Sequence, residues 1–272
     1  MTKKYLVFID LDGTALYDWQ TITEETIKTV NAVSALGHIV CIATGRPYRS
    51  SKVFYDKLGL KTPIINYNGA LIHHPYDERF DEITREIDVN HILKIFADID
   101  IYIENAFCEY YENIFLYREN EEIMPLIHPE GGKVVIGDFK NTLHLNPNGF
   151  ILLTYPGTIM EVENYFKTNF TGILNYRNWG GSYNQIIEIY TPETNKGNAI
   201  KFISSYFNIG LDYVIAFGDG ENDVEMIDNA KFGVAMKNAV PNVKKVAKYH
   251  TLSNTDNGVS EFLKDFFNIR LP

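Results

Sequence analysis

Two carboxylates, Asp10 and Asp12, end an apolar run in Tyr5-Leu6-Val7-Phe8-Ile9-Asp10-Leu11-Asp12-Gly13-Thr14. Residues two apart in extended chain project to the same side, so the pair can converge on one substrate if Asp12 stays near-extended, while Gly13 lets the backbone turn away. A capped turn is the plainer alternative, since Asp and Gly favour turns. Three further polar clusters interrupt the apolar pattern. In Ala43-Thr44-Gly45-Arg46-Pro47 a hydroxyl and backbone N–H groups at a helix start can bind a phosphate oxygen, or simply cap a helix with Pro in its first turn. In Glu193-Thr194-Asn195-Lys196-Gly197 a lysine opens a helix, where the partly positive helix end makes a cation unfavourable unless an anion lies nearby. Phe217-Gly218-Asp219-Gly220-Glu221-Asn222-Asp223 is dense in oxygen ligands and suits a hard cation such as Mg2+. It is not a calcium loop of the EF-hand type: the twelfth position counted from Asp219 is Ala230, and a strand precedes it. Together the four clusters describe a phosphate site.

The elements that must position these groups are short and apolar. Runs at 5–9, 38–43, 63–67, 213–217 and 232–236 are rich in β-branched and aromatic residues and have strand length. Between the first two, Thr23-Glu24-Glu25 offers a helix cap, Ile27, Val30, Val33 and Leu36 recur at helical spacing, and Gly37 ends the segment. Further helices are expected over Tyr48–Leu58 and Gly197–Phe207. Strand and helix in alternation predict an α/β fold with a parallel sheet. The stretch from about Tyr76 to Glu188 breaks the pattern with strand-like Phe150–Thr154 and Gln185–Tyr190 and amphipathic helices near His91–Ile99 and Ile159–Thr168. The expected order is therefore core (1–75), inserted α+β domain (76–190) and core (191–272), with hinges near His74-Pro75 and Thr191-Pro192.

Composition narrows the function. The 272 residues suffice for one large domain or two modest ones with a buried core. A formal net charge of −10 disfavours nonspecific binding to nucleic acid or an anionic membrane, yet leaves room for a small phosphorylated metabolite held by a local donor cluster or a cation. Cys41 and Cys108 are too few for a disulfide framework or zinc site and read as thiols. Without an apolar stretch of ~18 residues or a signal-peptide pattern, the expected location is the cytoplasm. No feature of the chain specifies an oligomeric state.

Taken together, the clusters resemble the four motifs of the haloacid dehalogenase superfamily of phosphatases, in its Cof-type branch, with a large cap between the second and third. Asp10-x-Asp12-Gly13-Thr14 matches the first motif, Thr44 the second, Lys196 the third and Gly218-Asp219-Gly220-Glu221-Asn222-Asp223 the fourth; Asp256-Asn257-Gly258-Val259 is similar to the last loop. The resemblance implies a Rossmann-like parallel-sheet core with helices on both faces and an inserted α+β cap. It implies Asp10 as nucleophile, Asp12 as general acid and base, and Thr44 and Lys196 neutralising phosphate oxygens. It further implies Mg2+ held by Asp10, the Asp12 carbonyl and Asp219, with Asn222 and Asp223 acting directly, through water, or by orienting Lys196. The expected substrates are small phosphomonoesters, sugar phosphates first, with pyridoxal phosphate or flavin mononucleotide as alternatives. A sugar phosphomutase and a non-catalytic binding protein remain as rivals. Substrate-binding candidates are Thr44, Gly45, Arg46, Asn68, Ser182, Lys196 and Asn222. In the insert, which closes over the core in this family, Tyr102, Phe107, Tyr110, Tyr111, Tyr176, Trp179 and Tyr183 could stack on a ligand or pack the core.

Overall fold

The strand Leu6–Ile9 has no exposed face: Leu6, Val7 and Phe8 are fully buried and Ile9 nearly so, which its unbroken apolar run requires. It lies between Val214–Gly218 and Ile39–Ile42 in a five-stranded sheet continued by Phe232–Ala235 and Tyr249–His250, with every pair parallel. The computed structural model describes residues 3–120 and 123–271. They form two units: one through Arg46, Ser51–Ile83 and from Asn195 onward, the other of Pro47–Ser50 and Thr84–Thr194.

In the first unit the helix Glu24–Ala35 starts at Thr23, whose hydroxyl accepts from the Thr26 amide, and buries Val30 and Val33. The helix Lys196–Tyr206 starts at Asn195, whose side chain accepts from the Asn198 amide. The run at 63–67 becomes a short strand, Ile64–Asn66. It touches the parallel sheet through one bridge, Ala43 to Ile65, and pairs antiparallel with Leu71–His73. A left-handed Asn68 (φ 55°) allows the chain to reverse between those two strands. The second unit is α+β. Its six-stranded sheet runs Asn175–Gly180, Tyr183–Tyr190, Gly149–Thr154, Ile103–Tyr110, Asn113–Leu116, Lys133–Ile136, and only the last pair is parallel. Helices Val89–Ile99 and Ile159–Asn169 pack Ile92, Ile95, Phe96, Val162 and Phe166 into its core. Among the described residues no helix is long and apolar enough to cross a membrane.

Candidate active site

Sheet register assembles the site. Ile9 stands opposite Phe217 on one side and Ile42 on the other, so Asp10, Gly218 and Ala43 leave the sheet abreast at its carboxyl-terminal edge. That is the edge where parallel α/β sheets gather chemistry. Asp10 and Asp12 both keep extended backbone (ψ 160° and 123°), and Gly13 turns the chain with φ +72°. Gly13 does more than turn. A Cβ there would lie 2.3 Å from Asp219 Oδ2, so the missing side chain is the space that the Asp219 carboxylate fills.

The two carboxylates of the first motif are held by different cations. Lys196, fully buried at the first turn of its helix, donates to Asp10 Oδ1 at 2.6 Å and to Asp223 Oδ1 at 2.7 Å. These are the anions that make a lysine tolerable at a helix start. The other oxygen of Asp223 accepts from the amides of Asp219 and Gly220 at 2.9 and 3.0 Å, closing the turn that aims Asp219. Asp12 is instead gripped through both oxygens by Arg46, from Nε at 2.8 Å and from Nη2 at 2.5 Å. The guanidinium is itself buried and sits over the Phe54 ring.

Electrostatically the cluster carries more negative charge than its lysine can balance. Burial first, and then the neighbouring carboxylates, push the Asp10 carboxyl well above the usual range against the pull of Lys196. Burial and Asp223 push Asp219 up to about 7. Burial disfavours the Lys196 ammonium, but Asp10 and Asp223 outweigh it and hold the ammonium above its ordinary value. Asp10, Asp219 and Asp223 offer one oxygen each, all within 4.8 Å of one another. Three hard oxygen donors against one ammonium fit a small divalent cation, which would remove the excess charge.

The remaining expected residues fall into two groups. Thr44 is fully buried; its hydroxyl accepts from the Arg46 amide at 3.1 Å, and its carbonyl accepts from the Asn68 amide at 3.0 Å. Gly45 is exposed beside it, where a Cβ would come within 3.2 Å of the Asn68 amide group. Asn222 donates to Asn68 Oδ1 at 2.9 Å, tying the fourth cluster to the loop after Asn66. Thr44, Asn68 and Asn222 therefore form one connected rim in the first unit. Ser182 belongs to the second unit, on the exposed turn between Asn175–Gly180 and Tyr183–Tyr190. The aromatic residues proposed as ligand stackers divide likewise: Phe107 is core and Tyr102, Tyr110 and Tyr176 pack against core, while Trp179 and Tyr183 are exposed near Ser182.

Two participants were not anticipated. Thr14 donates its hydroxyl to Asp219 Oδ1 at 2.7 Å, a contact its place one residue after the Asp12-Gly13 turn could have suggested. The Trp19 carbonyl accepts from Arg46 Nη2 at 2.7 Å, for which the sequence holds no local signal.

Comparison with known proteins finds related sequences and folds. A family model described as haloacid dehalogenase-like hydrolase matches residues 7–263. The 5-amino-6-(5-phospho-D-ribitylamino)uracil phosphatase YitU of Bacillus subtilis is 33% identical over 270 residues, covering 98% of this chain and 99% of its own. A haloacid dehalogenase-like hydrolase from Bacteroides thetaiotaomicron superposes with a TM-score of 0.83 at 23% identity, covering 97% of this chain and 100% of the other. The subclass IIB sugar phosphatase BT4131 superposes with a TM-score of 0.80 at 23% identity, over 98% of this chain and 100% of its own. These two likenesses speak for the fold.

Proposed function

This chain belongs to the haloacid dehalogenase-like hydrolases, and on that premise we propose that it is a Mg2+-dependent phosphatase cleaving small phosphomonoesters through an aspartyl-phosphate on Asp10. The observation that carries the reading is the buried Lys196 ammonium shared by Asp10 and Asp223, with Asp219 alongside. Well-packed apolar side chains often serve stability as well as or better than such a charge cluster, so its presence points to chemistry.

The steps use this chain's own groups. An Asp10 oxygen attacks phosphorus while the bond to the leaving oxygen breaks, and Asp12 gives that oxygen its proton. Water then attacks phosphorus and passes a proton to Asp12, the bond from phosphorus to Asp10 breaks, and the carboxylate is restored. Because Arg46 occupies both Asp12 oxygens, the guanidinium must yield one of them before the carboxyl can carry the proton needed in the first half. Lys196 neutralises charge on Asp10 and on the transferring phosphoryl group, and Thr44 with nearby backbone amides receives its oxygens. Asp10, Asp219 and the Asp12 carbonyl would hold Mg2+, with Asn222 and Asp223 supporting them. The cation would supply the charge that lets a dianionic ester approach three carboxylates.

For the substrate we propose a phosphorylated sugar or polyol. The relative at 33% identity is named for 5-amino-6-(5-phospho-D-ribitylamino)uracil, a ribityl phosphate bearing a pyrimidine, and that ester heads the panel. The insert expected at 76–190 is assigned a share in reading the leaving group, with the turn at Ser182 as its candidate. The test is phosphate release from this ester, sugar phosphates, pyridoxal phosphate, flavin mononucleotide and an aryl phosphate, with Mg2+ or EDTA, for wild type and Asp10→Asn. Metal-dependent release lost in the variant supports the reading. An isomer formed without phosphate release would replace it with a mutase, and no reaction at all with a binding protein.

A further inference from the structure

The main chain of an exposed tryptophan, Trp19, is tied to the guanidinium that grips Asp12. Residues Leu16 to Ile22 form a hairpin closed by an antiparallel bridge between its ends and by the Tyr17 amide donating to the Thr21 carbonyl at 2.8 Å. Its tip is locked by Asp18, whose Oδ1 accepts from the amides of Gln20 and Thr21 at 2.8 and 2.6 Å. Asn254 secures the base of the hairpin, donating to the carbonyls of Leu16 and Tyr17 at 2.8 and 3.2 Å. The Trp19 carbonyl then accepts from Arg46 Nη2, the same nitrogen that donates to Asp12 Oδ1. Trp19 is nevertheless 65% exposed, and among the described residues its indole has no ring or hydrogen-bond partner.

We propose that Trp19 is a specificity residue of the first unit, its indole stacking on a planar ring in the leaving group of the phosphate ester. The inference rests on the phosphatase reading, because Asp12 marks the leaving-group side only if it protonates the departing oxygen. The physical case is one of preorganisation. A single exposed apolar residue on a loose loop needs no explanation. With its backbone fixed by the hairpin, by Asn254 and by Arg46, the indole keeps only its two side-chain torsions for a ligand to order, so stacking comes at low entropic cost. One guanidinium nitrogen spans the Trp19 carbonyl and the acid/base carboxylate, which brings the Trp19 main chain to the side of the site where the bridging oxygen would meet Asp12, within reach of a ring carried by the same molecule. The chemistry that fits is a phosphorylated sugar or polyol carrying a flat heterocycle, in preference to the bare sugar phosphate.

The experiment compares uridine 5′-phosphate with ribose 5-phosphate, which differ by the planar ring, in wild type, Trp19→Phe and Trp19→Ala. The ratio of kcat/KM for the ring-bearing ester over the ringless one is expected to fall about tenfold in Trp19→Ala, mainly through KM, and to be largely retained in Trp19→Phe. Binding is read separately in Asp10→Asn carrying Trp179→Phe, in which Trp19 is the one remaining tryptophan. Uridine 5′-phosphate should quench its fluorescence and ribose 5-phosphate should not. An unchanged ratio together with unquenched fluorescence overturns the stacking role while phosphate release by the wild type leaves the phosphatase reading intact. If the wild type releases phosphate from no ester, it is that reading that fails, and this inference with it.

Discussion

Replacing Lys196 by Met keeps most of the side-chain volume and removes the one cation that the described residues place among Asp10, Asp219 and Asp223. Two charge-assisted hydrogen bonds, at 2.6 and 2.7 Å, disappear from a residue with no solvent exposure. A pair of unit charges about 4 Å apart interacts by roughly 4 kcal/mol at an effective dielectric of about 20. Two such attractions are lost, and the desolvation of the lysine is recovered, so the net cost lies in the range of about 3–5 kcal/mol seen when one partner of a buried ion pair is removed. Thermal unfolding followed by circular dichroism at pH 7.5 in EDTA should show the midpoint lowered by about 10 °C. The unbalanced carboxylates can be relieved in two other ways, by a proton or by a divalent cation. The deficit should therefore shrink on acidification and on adding Mg2+, and the variant should gain more from Mg2+ than the wild type does. Lys196→Arg keeps the charge and should lose less stability while still losing turnover. If Lys196→Met melts with the wild type in EDTA, the lysine is not the counter-ion of this cluster and the electrostatic account is wrong.

Further outcomes follow from other residues. Gly13→Ala places a Cβ 2.3 Å from Asp219 Oδ2 at a φ of +72°, adding about 1–2 kcal/mol of backbone strain to a displaced carboxylate; the Mg2+ concentration for half-maximal phosphate release should rise at least about tenfold. In the second unit Glu109 is buried against Arg49, which also donates to the carbonyls of Ile127, His128 and Tyr111. Burial outweighs Arg49 and pushes the Glu109 carboxyl up to about 7. The native state thus keeps a proton that the unfolded chain releases near 4.5, so stability from this group is complete below pH 4.5 and falls by about 3 kcal/mol as pH rises through 7. Denaturant titrations of Glu109→Gln should lack that slope. His73 has the opposite sign: burial, then His74, lowers its pKa to about 4, so its contribution is present above pH 6.5 and about 3 kcal/mol is lost as pH falls to 4. In His73→Gln the acid limb should flatten, and an unchanged limb would show that the ring titrates freely.

Much of this molecule could be read from its pattern, for definable reasons. Strands buried on both faces, such as Leu6–Ile9, cannot hide their composition, and the polar residues that end them mark the sheet edge. The central strand of the second unit, Ile103–Tyr110, escaped because Asn105 and Glu109 interrupt its apolar pattern. Both are buried and satisfied by partners distant in sequence: Asn105 by the Arg118 backbone, Glu109 by Arg49. The segment Asp256–Val259 stands out in the sequence as a loop, while the helix Gly258–Phe267 that it enters does not, although Val259 and Leu263 lie at its buried face with helical spacing. In the site, residue types announced Asp10, Lys196 and Asp219, while their pairing across 186 positions awaited the fold. Arg46 illustrates the limit. Its place beside Thr44 suggested a substrate contact, and only the tertiary structure shows the guanidinium joined to Asp12 and Trp19.

The claim on which the rest depends is that Asp10 takes the phosphoryl group. Acid-quench mass spectrometry of the enzyme mixed with Mg2+ and an aryl phosphate, whose phenolate departs without a proton from Asp12, tests it directly, with Asp12→Asn included to slow the second half-reaction. The account predicts a phosphoryl adduct on the peptide containing Asp10, enriched in Asp12→Asn and absent in Asp10→Asn. An adduct on another residue, or sustained phosphate release by Asp10→Asn, would contradict it.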